Sequence, residues 1–221
     1  MALAFVASVA AENNKAFIGA DIAIVKYTGS ETGDEYDPSL LGGFSAGYIR
    51  TFPIGKTGLG VDVGAGIQYA TGTDTFTQDY SYSGGDTYET KIKKTFCNIN
   101  IPAVIAYRIG SSDSFAFRPY AGVNFRLGLS TKAKFTYTET DYDTGEKEIE
   151  TSNLDYYDKD EMKSYGSDNT ARRFSTGVLV GGDFEFSKIT VGYQWGSDFG
   201  EIVKDSKVKY SWHTLRIAYK F

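Results

Sequence analysis

The chain has 221 residues, with 28 acidic against 23 basic and a formal net charge of −5, a balance that argues against nucleic acid as a partner. No apolar run reaches the roughly 18 residues a membrane-crossing helix needs, which excludes a helical membrane protein, and one cysteine with one histidine leaves no internal disulfide and no zinc-type cluster. Abundant glycine (25), tyrosine (17) and phenylalanine (15) beside only 2 methionines points to an all-β protein.

The chain opens on ALAFVASVAA, Ala2 to Ala11, an apolar stretch as long as a signal-peptide core. Ser8 with Ala10, or Val9 with Ala11, supplies the small residues a cleavage site needs before the polar Glu12-Asn13-Asn14-Lys15. Residues 1–11 are expected to be a signal peptide lacking its basic segment, and 12–221 one domain.

A period of two follows. The first strand sets Ile18, Ala20, Ile22 and Ile24 against Gly19, Asp21 and Ala23. The second sets Phe44, Ala46 and Tyr48 against Gly43, Ser45 and Gly47. In the third, Leu59, Val61, Val63, Ala65, Ile67 and Tyr69 oppose Gly60, Asp62, Gly64, Gly66, Gln68 and Ala70. The fourth runs from Cys97 to Tyr107 with Asn98 and Asn100 on its polar side, and the fifth sets Ala121, Val123, Phe125, Leu127 and Leu129 against Tyr120, Gly122, Asn124, Arg126 and Gly128. The last three carry Val178, Val180 and Phe184; Val191, Tyr193 and Trp195; and Leu215, Ile217, Tyr219 and Phe221. Opposite them stand Gly177, Gly181 and Asp183; Gly192 and Gln194; and Thr214, Arg216 and Ala218.

These strands are long for a soluble protein, where about 5–6 residues is usual, and suit a membrane barrel, where about 9–11 are needed. Their polar side is small and glycine-rich, as the inside of a narrow barrel requires. The apolar side ends in Tyr48, Phe52, Tyr69, Tyr107, Trp195, Tyr219 and Phe221, placed like aromatic girdles. Connections alternate in length. Pro53–Thr57, Gly110–Ser114 and Ser187-Lys188 are short, while Thr28–Leu40, Thr71–Thr95, Thr131–Arg172 and Ser197–Lys207 are long. That asymmetry predicts an eight-stranded antiparallel up-and-down transmembrane β-barrel with short periplasmic turns. Alternation continues into Thr75–Tyr82, Thr87–Lys93, Phe135–Thr138 and Lys147–Thr151, so some strands are expected to rise past the membrane as an exposed ribbon.

Asn100-Ile101-Pro102-Ala103-Val104-Ile105-Ala106-Tyr107-Arg108 resembles the Asn/Glu-Ile-Pro…Tyr-Arg strand of the porin-family outer-membrane β-barrel domains of Gram-negative bacteria. Arg118-Pro119-Tyr120-Ala121-Gly122-Val123 is similar to the strand that follows there, with Asn124 where a glycine often stands. Leu215–Phe221 resembles the terminal strand, in which Tyr219 and Phe221 act as the barrel-assembly signal. The resemblance spans about 16–221. It implies an integral protein of the cell outer membrane, folded by the barrel-assembly machinery and surrounded by outer-membrane lipid and lipopolysaccharide. An extracellular protein or surface ligand is the further partner it admits.

Five charges fall on the inner face: Asp21, Asp62, Arg126, Asp183 and Arg216. Charges in a lumen with little water must pair, so this lumen polar network is expected to plug the barrel; a narrow polar path for ions or small solutes is the alternative. His213 lies near Asp205, Ser206 and Ser211, but it falls in the outward set with Leu215, which favours a girdle histidine over catalysis. Asp141-x-Asp143-x-Gly145 lacks the ligand spacing of a calcium loop and sits in an acidic stretch read as solvated. The tyrosines of that stretch, among them Tyr137, Tyr142, Tyr156, Tyr157 and Tyr165, could form a binding surface. Gly58–Gly66 is a strand, not a phosphate loop, and Cys97 acts as a small lipid-facing residue. No catalytic, cofactor or metal residue is assigned. The sequence predicts a non-enzymatic structural or surface-interaction barrel acting through its long loops, with a small channel as the runner-up and an outer-membrane enzyme a distant third. A soluble lipocalin-type barrel would reverse the two faces.

Overall fold

Strict alternation over long stretches produces ten strands: β1 (Asn14–Thr28), β2 (Ser39–Pro53), β3 (Leu59–Asp79), β4 (Thr87–Tyr107), β5 (Ile109–Ser111), β6 (Phe115–Thr140), β7 (Lys147–Asp155), β8 (Phe174–Phe186), β9 (Ile189–Asp198) and β10 (Lys209–Lys220). A computed structural model describes residues 14–28, 38–79, 85–111, 115–203 and 208–221. The leader expected over 1–11 lies outside them, as do Asp205 and Ser206. The strands pair antiparallel in the order β4-β3-β2-β1-β10-β9-β8-β6, and a β4–β6 ladder closes the ring. β5 continues β4 past Arg108, and β7 folds back on β6, so eight staves form the barrel. Closure leaves no sheet edge within the ring, the condition for a β-structure to cross lipid.

The two faces sort as the alternation requires. Ile22, Ile105 and Ile217 are each more than half exposed, while Asp21 and Asp62 are 2 % exposed. Charges inside and large aliphatics outside suit a barrel whose exterior is lipid rather than water. The inner face is not wholly polar, however. Ala23, Val25, Leu41, Val104, Leu179 and Trp212 pack together in the lumen, Trp212 in phase with inward Thr214 and Arg216 though not named from the alternation. Gly196 on the neighbouring strand makes room for it, since a Cβ there would stand 2.2 Å from the indole.

Two irregularities shape the barrel. Pro102 has no N–H, and the β3–β4 pairing passes from Val63↔Ala103 to Gly66↔Asn100, leaving it unpaired there. In β6, Cys97 pairs with Ser130 and Asn98 with Gly128, so Leu129 is the extra residue of a bulge. The bulge exchanges the two faces. Even-numbered residues point inward up to Gly128, and odd-numbered ones, Thr131, Ala133 and Phe135, do so beyond it.

Short turns close the end where the chain enters at β1. Gly55 and Gly58 adopt φ of 65° and 81° in the β2–β3 turn, and Ser187 takes φ 50° in the two-residue β8–β9 hairpin. At the opposite end, extracellular in outer-membrane barrels, β3, β4, β6 and β7 extend as a four-stranded sheet. Within the acidic stretch read as a solvated loop, β7 is a strand and α1 (Lys159–Ser164) a helical turn. Asp158 caps α1, accepting N–H bonds from Asp160 at 2.9 Å and Glu161 at 3.0 Å, and Met162 anchors it by burial.

Candidate functional site: the lumen and its extracellular mouth

Charges fill the lumen in tiers. Nearest the short turns, Glu185 receives Lys15 Nζ and Arg108 Nη2, each at 2.7 Å, with Lys220 Nζ at 3.5 Å. Next, Arg118 pairs with Asp62, which also accepts the Thr51 hydroxyl at 2.7 Å. Further along, Arg216 Nε meets Asp21 at 2.8 Å across the β1–β10 register. Asp21 then starts a row of amides. Gln68 donates to it at 3.2 Å, Asn100 to Gln68 at 3.2 Å, and Asn124 to Asn100 at 3.1 Å. Above the row, Arg126 pairs with Asp198 and lies 4.2 Å over the Tyr210 ring and 5.5 Å over Trp212. Each tier matches a buried carboxylate with at least one cation, without which burial would cost several kcal/mol, on the order of 3–5.

Asp21, Asp62, Arg126, Asp183 and Arg216 all stand on the inner wall, but only Asp21 and Arg216 pair with each other. Asp62 and Arg126 take partners outside that set, Arg118 and Asp198. Asp183 makes no ion pair among the described residues; with Arg118 and Arg216 it lines an inner cavity of about 100 Å³. Extending the alternation a few residues would have found the missing members. Glu185 is in phase with Asp183, Asp198 with Gln194, Arg118 with Tyr120, and Lys15 and Lys220 with Asp21 and Arg216.

Beyond Arg126 the lumen opens into a cavity of about 430 Å³ walled by Tyr27, Phe96, Phe135, Tyr156, Tyr157 and Tyr210. Arg126 forms part of its floor, and Arg172 and Lys94 reach its wall. Lys94 is committed to Asp74 at 2.8 Å and to the Ser39 hydroxyl at 2.7 Å. Burial pushes the Tyr156 phenol above its ordinary range, so it stays a neutral donor. Tyr165 stacks on Phe135 at 5.7 Å and Arg173 lies 4.2 Å over Tyr157, so the rim is braced by rings. Of the loop tyrosines, Tyr156 and Tyr157 reach this cavity, whereas Tyr142 is exposed at the β6–β7 tip.

The remaining candidates take structural places. Asp141 accepts the Thr144 N–H at 2.7 Å and its hydroxyl at 2.8 Å, and these bonds hold its carboxyl below the usual range. With Gly145 at φ 70°, Asp141 closes the β6–β7 hairpin. His213 lies on the outer face with its Nδ1 2.6 Å from the Tyr193 hydroxyl. Cys97 faces outward opposite Tyr69. Tyr219 and Phe221 stand outside the barrel in edge contact at 5.1 Å, and the Phe221 N–H reaches the Ala16 carbonyl at 3.0 Å.

Residues 13–200 match the family model described as outer membrane protein beta-barrel domain. No curated protein sequence matches the chain. Among solved structures, the chain is similar to Ail, the attachment invasion locus protein of Yersinia pestis, in its complex with the heparin analogue sucrose octasulfate. Identity there is 16 %, over 95 % of this chain and 98 % of that one, with a TM-score of 0.41. Neisserial surface protein A is similar at 15 % identity, over 95 % and 100 %, with a TM-score of 0.41. The N-terminal barrel of Pseudomonas aeruginosa OprF is similar at 11 %, over 93 % and 97 %, with a TM-score of 0.34.

Proposed function

Because this chain belongs to the outer membrane protein beta-barrel domain family and its barrel lies in the outer membrane, we propose that it is a non-enzymatic surface-interaction protein with a sealed lumen and a binding mouth. The observation that carries this reading is the tier of Arg126, Asp198, Tyr210 and Trp212, which separates the outer cavity from the lumen beneath. An eight-stranded barrel is about wide enough for its own side chains, and here the tiers of Glu185, Asp62, Asp21 and Asp198 each hold at least one cation. The mouth offers large rigid rings with polar tips, a surface suited to extracellular protein or glycan because such rings lose little entropy on contact. Tyr219 and Phe221 serve as the assembly signal read by the barrel-assembly machinery. Planar-bilayer recording of the refolded chain is the test, with no steady conductance expected. Reproducible single-channel currents from the unmodified protein would replace this reading by the channel.

A further inference from the structure

The bulge at Leu129 leaves one part of the outer surface unlike the rest. Ile92, Lys94 and Phe96 of β4 line the mouth, and so do Thr131 and Phe135 of β6. Their alternates, Lys91, Lys93, Lys132 and Lys134, therefore point away from the barrel axis, and all four are exposed. Lys93 stands directly opposite Lys134 in the β4–β6 register. Like charges in facing positions destabilise a sheet, so this pairing calls for a reason outside the fold. Lys91 and Lys132 have acidic neighbours, Glu89 at 2.8 Å and Asp155 at 3.6 Å. Lys93 and Lys134 have no ion pair among the described residues.

The height of the cluster is fixed by register. Tyr69 faces Cys97, and Tyr69 stacks on Phe44 at 5.4 Å in the lipid-facing belt. Lys132 and Thr95 lie two residues beyond that row, and Lys93, Lys134 and Thr73 four beyond. At about 3.3 Å per residue and a tilt of about 40°, these are roughly 5 and 10 Å above the belt, in and just above a headgroup layer about 5–7 Å thick. Thr73, Thr75, Thr95 and Thr136 share the face and add hydroxyls around the lysines. Of the acids of the same sheet, Glu139, Glu148 and Glu150 fall on the other side, in phase with Ala133 and Leu154, while Glu89 and Asp155 share the outer face and are taken up by Lys91 and Lys132. A chain of net charge −5 thus turns four lysines against two acids outward here, with Lys93 and Lys134 the cations left without an acidic partner among the described residues.

We propose that this Lys/Thr face of β4 and β6 docks the phosphorylated sugar headgroup of the outer-leaflet glycolipid, with Lys93 and Lys134 sharing a phosphate. The phosphate resolves their mutual repulsion, and the threonine hydroxyls bond the sugar. This surface is separate from the mouth and does not depend on it.

The test uses the full refolded barrel in neutral detergent, titrated with bis-phosphorylated lipid A and, separately, with dephosphorylated lipid A. Native mass spectrometry counts bound lipid and thermal unfolding reports stabilisation. The wild type is expected to prefer the phosphorylated form and to unfold at higher temperature with it. In Lys93→Gln/Lys134→Gln the affinity for phosphorylated lipid A should fall about 10-fold or more, while Lys163→Gln on α1 leaves it unchanged. Without lipid the double variant should unfold at the same or a higher temperature than wild type, because a repulsion has been removed. A double variant that is less stable without lipid would make the lysines structural and overturn the proposal. Equal binding of the two lipid A forms, or displacement of lipid A by an equal concentration of a soluble polyanion such as a heparin oligosaccharide, would also overturn it.

Discussion

Truncating Arg126 to Ala separates a plugged lumen from a merely narrow one. The Asp198 side chain is 3 % exposed, and Arg126 is its ion-pair partner. Removing one member of a buried pair typically costs about 3–5 kcal/mol, because the charge left behind is desolvated without compensation. Arg126 itself borders the 430 Å³ mouth, so water entering from that side lowers the penalty, and a loss of about 3 kcal/mol is expected. Replacing both partners, Arg126→Met with Asp198→Leu, leaves no buried charge and a similar volume. That variant should forfeit mainly the contacts of the guanidinium with Tyr210 and Trp212, about 1 kcal/mol. Urea unfolding in lipid vesicles measures both, and bilayer recording alongside should show brief openings in Arg126→Ala but none in the double variant. A single variant within 1 kcal/mol of wild type, or a double variant as damaged as the single, would refute the claim that paired charge holds this tier together.

On the lipid face, Val63→Arg should cost about 2–4 kcal/mol near the midplane in the same vesicle assay, and a same-size change at inward Gln68 less. Gly196→Val forces a side chain into the Trp212 ring, 2.2 Å from where a Cβ would stand, so a loss of about 1–3 kcal/mol is expected on unfolding. Protease added to intact cells should cut within residues 139–169 and spare Pro53–Thr57; cuts at the short turn would invert the topology. The Asp141 carboxyl is lowered by Thr144, so its contribution to the hairpin is present above the unfolded carboxyl value, about 3.9, and is lost as pH falls through the lowered one. The protection of the Thr144 amide, its exchange relative to the intrinsic rate at each pH, should therefore fall on acidification below about pH 4, and Asp141→Ala should show little protection at any pH.

The sheet faces were legible because lipid and lumen impose opposite demands on neighbouring residues, so a period of two survives along every stave. Ile22 beside Asp21, or Val63 beside Asp62, already states which side is which. Pairing was not legible. Asp62 meets Arg118 rather than Arg126 or Arg216 because strand stagger, not sequence order, decides what lies across the lumen. For Trp212 the phase with Thr214 and Arg216 gives the side, but the gap that admits an inward indole was not legible, because Gly196 supplies it only once β9 and β10 are in register.

The bulge is where periodicity as a guide breaks down, and it is also where the molecule changes solvent. A shift of one residue transfers every later side chain to the opposite face. Below Leu129, β6 turns Arg126 inward and Leu127 outward, which suits a charged lumen inside lipid. Had the same phase continued, Lys132 and Lys134 would point into the mouth and Phe135 into the headgroups. With Leu129 inserted, Phe135 joins the aromatic wall of the cavity while the lysines face outward. The β6 share of both the binding mouth and the basic outer face thus depends on one unpaired residue in a strand of 26. Alternation read across that point assigns the upper part of β6 to the wrong sides, because the signal of a bulge is the partner strand's count, and that exists only once β4 and β6 are paired.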